Sequence, residues 1–162
     1  MAVEMRIQGL VIDPITNMPI VVLRDPRTDA KLPIWVGVFE ANAIALELER
    51  SRPPRPMTHD LLHAVIGELG GRLERVEIVD LRDNIFYGAL HVLTADGQAR
   101  SIDCRPSDAL ALALRAGVPI FAREEVISAA QEIDVTQGHE ETEEFRRWLE
   151  SLGEEELGKY EI

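Results

Sequence analysis

Residues 100–117 read RSIDCRPSDALALALRAG, and the fold turns on how this run divides. Its first half alternates: Ile102 and Cys104 fall on one face and Asp103 and Arg105 on the other, the two-residue period of a half-buried strand. Pro106 ends strand pairing and presets the first turn of a helix. Ser107 and Asp108 are expected to cap that helix and to place negative charge at the positive end of its dipole. From Ala109 to Leu114 the helix is apolar all round, the pattern of a helix buried on every side. Asp103, Arg105, Ser107 and Asp108 therefore gather where a strand runs into a buried helix. Charged groups beside a core need partners or a purpose. This junction is the leading site candidate.

Outward from it, the chain supports an α+β domain. Met5 to Ile12, Met18 to Leu23 and Lys31 to Gly37 read as strands joined by two Asp-Pro turns. Phe39 to Arg50 reads as a helix with Ala41, Ile44, Ala45 and Leu48 on one stripe. Ser51 to Pro56 (SRPPRP) is an extended loop carrying Arg52 and Arg55. Thr58 is expected to cap a helix from His59 to Leu69, ended by Gly70-Gly71. The order then recurs: strands Leu73 to Leu81, Ile85 to Thr94 and Ala99 to Cys104, the Ala/Leu helix, a short strand at Pro119 to Phe121 and a short helix at Glu124 to Gln131. A shift of 66 places lays Trp35-Val36-Gly37-Val38 over Ser101-Ile102-Asp103-Cys104, and the helix from Ala43 over that from Ala109. The expectation is one domain over 1–131 built from two tandem, pseudo-symmetric β-β-β-α-(β)-α units. Residues 132–162 are expected to form an acidic C-terminal tail with one amphipathic helix, striped by Phe145, Trp148, Leu149 and Leu152, that docks on the body or on a second subunit.

Composition narrows the function classes. The 162 residues carry a net charge of −12, of which the eleven acids and three bases after Gln131 supply −8. An acidic chain lacks the general electrostatic grip of most nucleic-acid binders. No apolar run is long enough to span a membrane, and the first residues (MAVEMR) do not read as a secretory leader. With a single cysteine the expectation is a cytoplasmic protein, Cys104 being a small core residue. Aromatic residues make up 5% of the chain, so a stacking platform is not expected, and Trp35 and Phe39 are expected to pack between strand and helix.

Three segments together resemble the bifunctional nuclease family: LPIWVG at 32–37 with Glu40-Ala41, RPMTHDLL at 55–62 and IDCRPSDA at 102–109. The resemblance covers about residues 5–131. It implies an α+β domain that self-associates as a homodimer. It carries Glu40, Thr58, His59, Asp60, Asp103, Arg105, Pro106, Ser107 and Asp108 onto the family pattern. Plant members of the family are described as nucleases acting on RNA and DNA.

Such chemistry needs a base or a metal to make a nucleophile, and positive charge for the phosphorane-like transition state. Glu40, His59, Asp60, Asp103, Arg105 and Asp108 are the catalytic candidates, and Arg52, Arg55, Thr58 and Ser107 the substrate-binding ones. Glu40, Asp60, Asp103 and Asp108 are of the type that holds Mg²⁺ or Mn²⁺. His59 and His63, spaced i and i+4, imitate a zinc pair, but no third ligand is evident. The competing reading keeps these polar groups structural, in a non-catalytic regulatory or scaffold domain that dimerises or binds an anionic small ligand. Geometry decides between them: the catalytic reading needs Glu40 and His59 to meet the junction at Asp108.

Overall fold

The computed structural model describes residues 1–136 and 147–152. Strands β1 (Ala2–Ile12), β2 (Pro19–Arg24) and β3 (Lys31–Trp35) form an antiparallel meander, followed by helices α1 (Val38–Leu48) and α2 (Thr58–Glu68). A second antiparallel meander follows: β4 (Arg72–Arg82), β5 (Ile85–Leu93) and β6 (Ala99–Cys104). Then come α3 (Pro106–Ala116), β7 (Ile120–Arg123) and α4 (Glu124–Thr136). All seven strands join one mixed sheet in the order β3-β2-β1-β7-β4-β5-β6, with β7 between the meanders, antiparallel to β1 and parallel to β4.

The first meander is set by two turns of one design. Asp13 accepts from the Ile15 N–H (2.9 Å) and the Thr16 hydroxyl (2.7 Å), and Asp25 accepts from the Arg27 N–H (2.8 Å) and the Thr28 hydroxyl (2.8 Å). Each ends on a residue at positive φ, Asn17 (59°) and Asp29 (64°), types that tolerate the left-handed region. The second meander opens with Asp83 and Asn84 both at positive φ (50° and 60°), the twist a two-residue hairpin needs.

Helix α3 is the centre of the core. Ala109 to Leu112 are wholly buried, and α1 and α2 pack along it while its other side lies on β4 and β5. Its alanines permit that close approach. Gly117, at φ 66°, ends it in a left-handed turn that other residues rarely adopt. Strand β2 is buried on both faces: Val21 and Leu23 join the main core, while Ile20 and Val22 meet Leu149, from the helical stretch at 147–151, and Leu152 just after it. The expected apolar stripe thus docks on the body through Trp148, Leu149 and Leu152. Phe145 and the start of the expected helix lie outside the described residues.

Several local expectations need correction. Met57, not Thr58, is the N-cap of α2, because Asp60 at the third helical position accepts the Met57 N–H (2.8 Å) and fixes the start one residue earlier. Arg105, not Ser107, is the N-cap of α3, with no side-chain cap; Ser107 is buried instead. Phe39 is 89% exposed rather than packed, since the buried face of α1 is made by Ala41, Ala43 and Ile44. Trp35 is 44% exposed, its indole N–H held by Asp13 (3.0 Å). Helix α4 runs past Gln131 to Thr136.

Candidate functional site

The first turns of α1, α2 and α3 meet at one corner. Arg105 holds Asp108 with a two-pronged contact, Nε to Oδ2 at 2.8 Å and Nη2 to Oδ1 at 3.1 Å. The same Nη2 reaches Glu40 Oε1 at 2.8 Å. His59 Nε2 lies 2.8 Å from Asp108 Oδ1. Four side chains from three separate stretches of sequence are thereby joined in one chain of contacts, Glu40–Arg105–Asp108–His59. The meeting links both halves of the chain, as the catalytic reading required.

Each side chain is placed for a local reason. Pro106 starts α3 directly after the strand, so Asp108 lies in the first turn and Arg105 one turn back, three positions away. Gly88 on β5 lets this strand-to-helix passage come close: a Cβ there would sit 3.2–3.3 Å from Cys104 O, Cys104 Sγ and Pro106 N. Gly37 does the same for Glu40, since a Cβ at that position would stand 2.3 Å from the carboxylate oxygen Oε2. His59 is the buried residue of α2.

Electrostatics fixes protonation at the corner. Burial favours a neutral Asp108, but hydrogen bonds from Arg105 and His59 outweigh it and hold the carboxyl below its ordinary range. Bonds to Asp108 and Glu40 raise Arg105 further above its already high value. An ionised Asp108 accepts, so His59 donates through Nε2–H, and Nδ1 is the basic nitrogen of the neutral ring. Cys104, beneath the corner, is pushed up to about 12 by burial and by the charges of Asp108 and Asp103, and stays a thiol.

The remaining candidates lie elsewhere. Asp60 turns toward Arg115, which donates Nε to Asp60 Oδ1 (2.7 Å), Nη1 to Ala111 O (2.8 Å) and Nη2 to Ala43 O (3.1 Å), tying all three helices together. Its carboxyl is held low by the Met57 N–H, against burial, with help from Arg115. Sequence reasoning missed Arg115. The available signal was its place seven residues after Asp108, two turns along one face of an otherwise Ala/Leu helix. Asp103 is exposed on edge strand β6, opposite Ala89, whose other neighbour across the ladder is Glu77. Thr58 is exposed in the first turn of α2. Arg52 and Arg55 are exposed in the loop between α1 and α2, so with Arg105 committed to Glu40 and Asp108 the three form no single basic patch.

Asp103 shares its sheet face with a second polar group. Glu77, buried, accepts from His91 Nε2 (2.9 Å) and Arg123 Nε (3.0 Å), with Arg75 Nη2 at 3.6 Å. Arg75 also stacks over Phe121, 5.6 Å from the ring centre. His91 is therefore a carboxylate partner rather than a residue packed among apolar groups.

The metal test is negative on donor chemistry. Glu40 and Asp108 carry the oxygens a divalent ion would take, but the Arg105 guanidinium bridges them, and Asp60 is bound to Arg115. Among the described residues no three His, Cys, Asp or Glu side chains group as a metal set. The residues as arranged do not fit Mg²⁺ or Mn²⁺. Beside the corner runs a mostly apolar groove of about 670 Å³, lined by Trp35, Gly37, Phe86, Arg105, Pro106 and Ser107 among others.

The bifunctional nuclease domain matches residues 21–134, which contain the corner and most of the sheet, and the chain belongs to that family. An uncharacterised protein of Mycobacterium tuberculosis is 38% identical over 163 residues, spanning 95% of this chain and 97% of that protein. Bifunctional nuclease 1 of Oryza sativa subsp. japonica is 26% identical over 110 residues, 67% of this chain but 33% of the rice protein. Bifunctional nuclease of Oryza minuta matches to the same extent. No described helix is long and apolar enough to cross a membrane.

Proposed function

We propose that the chain is a nuclease of low sequence specificity that hydrolyses phosphodiester bonds of RNA and DNA by acid-base chemistry at the Glu40–Arg105–Asp108–His59 corner. Asp108 orients His59, whose Nδ1 takes the proton of the attacking water as the P–O bond to the leaving sugar oxygen breaks, and that oxygen takes a proton from solvent. Arg105 stabilises the charge that builds on the phosphoryl oxygens. Glu40 holds Arg105 in place from the opposite side. The observation that carries this reading is the state of Arg105 itself. It is anchored through Nε and Nη2, its side chain is 66% exposed, and among the described residues its Nη1 has no partner, leaving donors directed outward. That exposure leaves the free Nη1 open to a substrate phosphate.

The test is cleavage of single-stranded RNA and DNA by purified protein, with and without EDTA, beside Asp108→Asn and Arg105→Ala variants. Losing one acid-base or charge-stabilising group removes roughly 10²–10³ of the rate. Activity in EDTA that both variants retain in full belongs to a contaminant and ends the enzyme reading.

The scaffold alternative draws on a different observation. Helix α2 shows Leu61, Leu62, Val65 and Leu69 to solvent, and Val38 and Phe39 of α1 are exposed as well. Apolar surface on this scale marks an interaction site. We assign it to self-association as a homodimer, which is compatible with the nuclease reading and is the whole function if cleavage is absent.

A further inference from the structure

Most cations in this acidic protein are engaged. Arg24, Arg27, Arg72, Arg75, Arg82, Arg105, Arg115 and Arg123 pair with carboxylates. Lys31 and Arg100 bond to a carbonyl and to Gln98, and Arg147 has a partner too. Arg6, Arg50, Arg52 and Arg55 are different: among the described residues they make neither an ion pair nor a side-chain hydrogen bond, and all are exposed. They are also not scattered. Arg6, Arg50 and Arg52 line one open cleft of about 900 Å³, floored by Ile7, Leu48, Ala113 and Val118, and Arg55 follows three positions along the same loop.

The cleft's position follows from the helix arrangement. Helices α1 and α3 run parallel, since their first turns meet at Glu40 and Arg105 while their last turns border the cleft together. At 1.5 Å per residue, Glu40 and Leu48, the last residue of α1, are about 12 Å apart along the helix. The cleft is therefore a separate site at the other end of the helix pair. Its arginines come from β1 and from the loop leaving α1, two elements with no sequence reason to gather cations. Glu4 and Glu47 also border it, yet neither pairs with these arginines, so the guanidinium groups stay turned to solvent.

We propose that this cleft is an anion site that binds closely spaced phosphate groups. Several guanidinium forks around one concavity match the repeating oxygens of a phosphate chain, and an apolar floor strengthens each contact by displacing water. Two sources supply this chemistry: the backbone of a single nucleic-acid strand, and a free polyphosphate such as a nucleoside triphosphate. The site stands apart from the cleavage chemistry at the corner.

The experiment measures binding rather than cleavage. An Arg6→Glu/Arg52→Glu double variant reverses one charge on β1 and one on the loop after α1, and keeps Arg50 in its left-handed turn at φ 53°. Circular dichroism establishes that the variant is folded. Fluorescence anisotropy with a labelled dodecamer of uridine, in EDTA, and calorimetry with tripolyphosphate and ATP give the affinities. The expected result is a tenfold or greater loss in the double variant for the ligand that binds. If that ligand is the dodecamer, the slope of log affinity against log salt also becomes shallower by about 2. Dodecamer binding without tripolyphosphate binding assigns the cleft to a strand; tripolyphosphate or ATP binding at least as tight assigns it to free polyphosphates. Native protein that binds none of the three probes, or a variant that binds them as well as native, overturns the proposal. Asp108→Asn separates the two sites: it keeps anion binding if the cleft is correct, and it loses cleavage if the corner is the reactive centre.

Discussion

Helices α2 and α3 are each eleven residues long, both start at the same corner, and they are opposites. Helix α3 is buried on nearly every side and holds the core together. Helix α2 buries little beyond His59 and turns Leu61, Leu62, Val65 and Leu69 outward. One helix is apolar because the inside of the protein requires it. The other is apolar where its own monomer makes no use of it. The contrast shows that apolar sequence alone does not say whether a helix is buried in its own chain. It also shows that a site residue can be delivered by an element with little stake in the core: α2 contributes His59 and is fastened mainly through Asp60 and Arg115.

Three measurements break or sharpen this contrast. The largest effect is expected in α3, where Leu112→Ala opens a cavity at a fully buried position and costs about 2–5 kcal/mol, read as a lower urea midpoint. A cost below about 1 kcal/mol would mean that α3 is not the centre of the core.

Next comes the polar fastening between the helices. Hydrogen bonds hold the Asp108 and Asp60 carboxyls below their ordinary value of 3.8, so their contribution to stability is complete above the pH at which the unfolded chain's carboxyls titrate. It is lost as pH falls from about 3.8 through their lower folded values. Asp108→Asn should therefore lower stability at neutral pH and flatten the acid limb of the pH–stability curve. An unchanged acid limb would remove Asp108 from this role.

The smallest effect on the folded chain is expected in α2. Leu61→Glu with Val65→Glu should change the stability of the isolated chain by less than about 0.5 kcal/mol per site, while abolishing self-association in sedimentation. Sedimentation identical to the native protein would leave the exposed face unexplained by a homodimer.

The fold was legible where local chemistry carries its own signal. The Pro106 boundary, the Ala/Leu helix and the paired Asp-Pro turns all rest on residues that act within four or five positions. The reading was weaker where the deciding partner lies far away in the chain. Asp60 looks like a helix-cap carboxylate from its neighbours, and it is one, but Arg115 decides where its other oxygen points. Phe39 looks like a core residue, and only the packing of Ala41, Ala43 and Ile44 reveals that α1 presents its other face. At the site, the alternation that put Asp103 beside Arg105 ended at Cys104, the last residue of the strand. Arg105 escapes the pleat and turns to α1, while Asp103 stays with Ala89 on the sheet. The convergence of Glu40 and His59 on Asp108 rests on a resemblance in sequence and on a fold in space; no periodicity encodes it.

The cover on β2 has a consequence for how the protein is made. Ile20 and Val22 leave the ribosome well before their cover, since Leu149 follows 127 residues after Val22. At a translation speed of about 5–20 residues per second, an aliphatic flank of a young strand stays uncovered for roughly 6–25 seconds. A chain stalled or clipped before Leu149 keeps that flank bare, which leaves aliphatic strand surface open to aggregation. The short helix at 147–151 thus closes over a strand made long before it, and the two ends of the described chain become one packed unit.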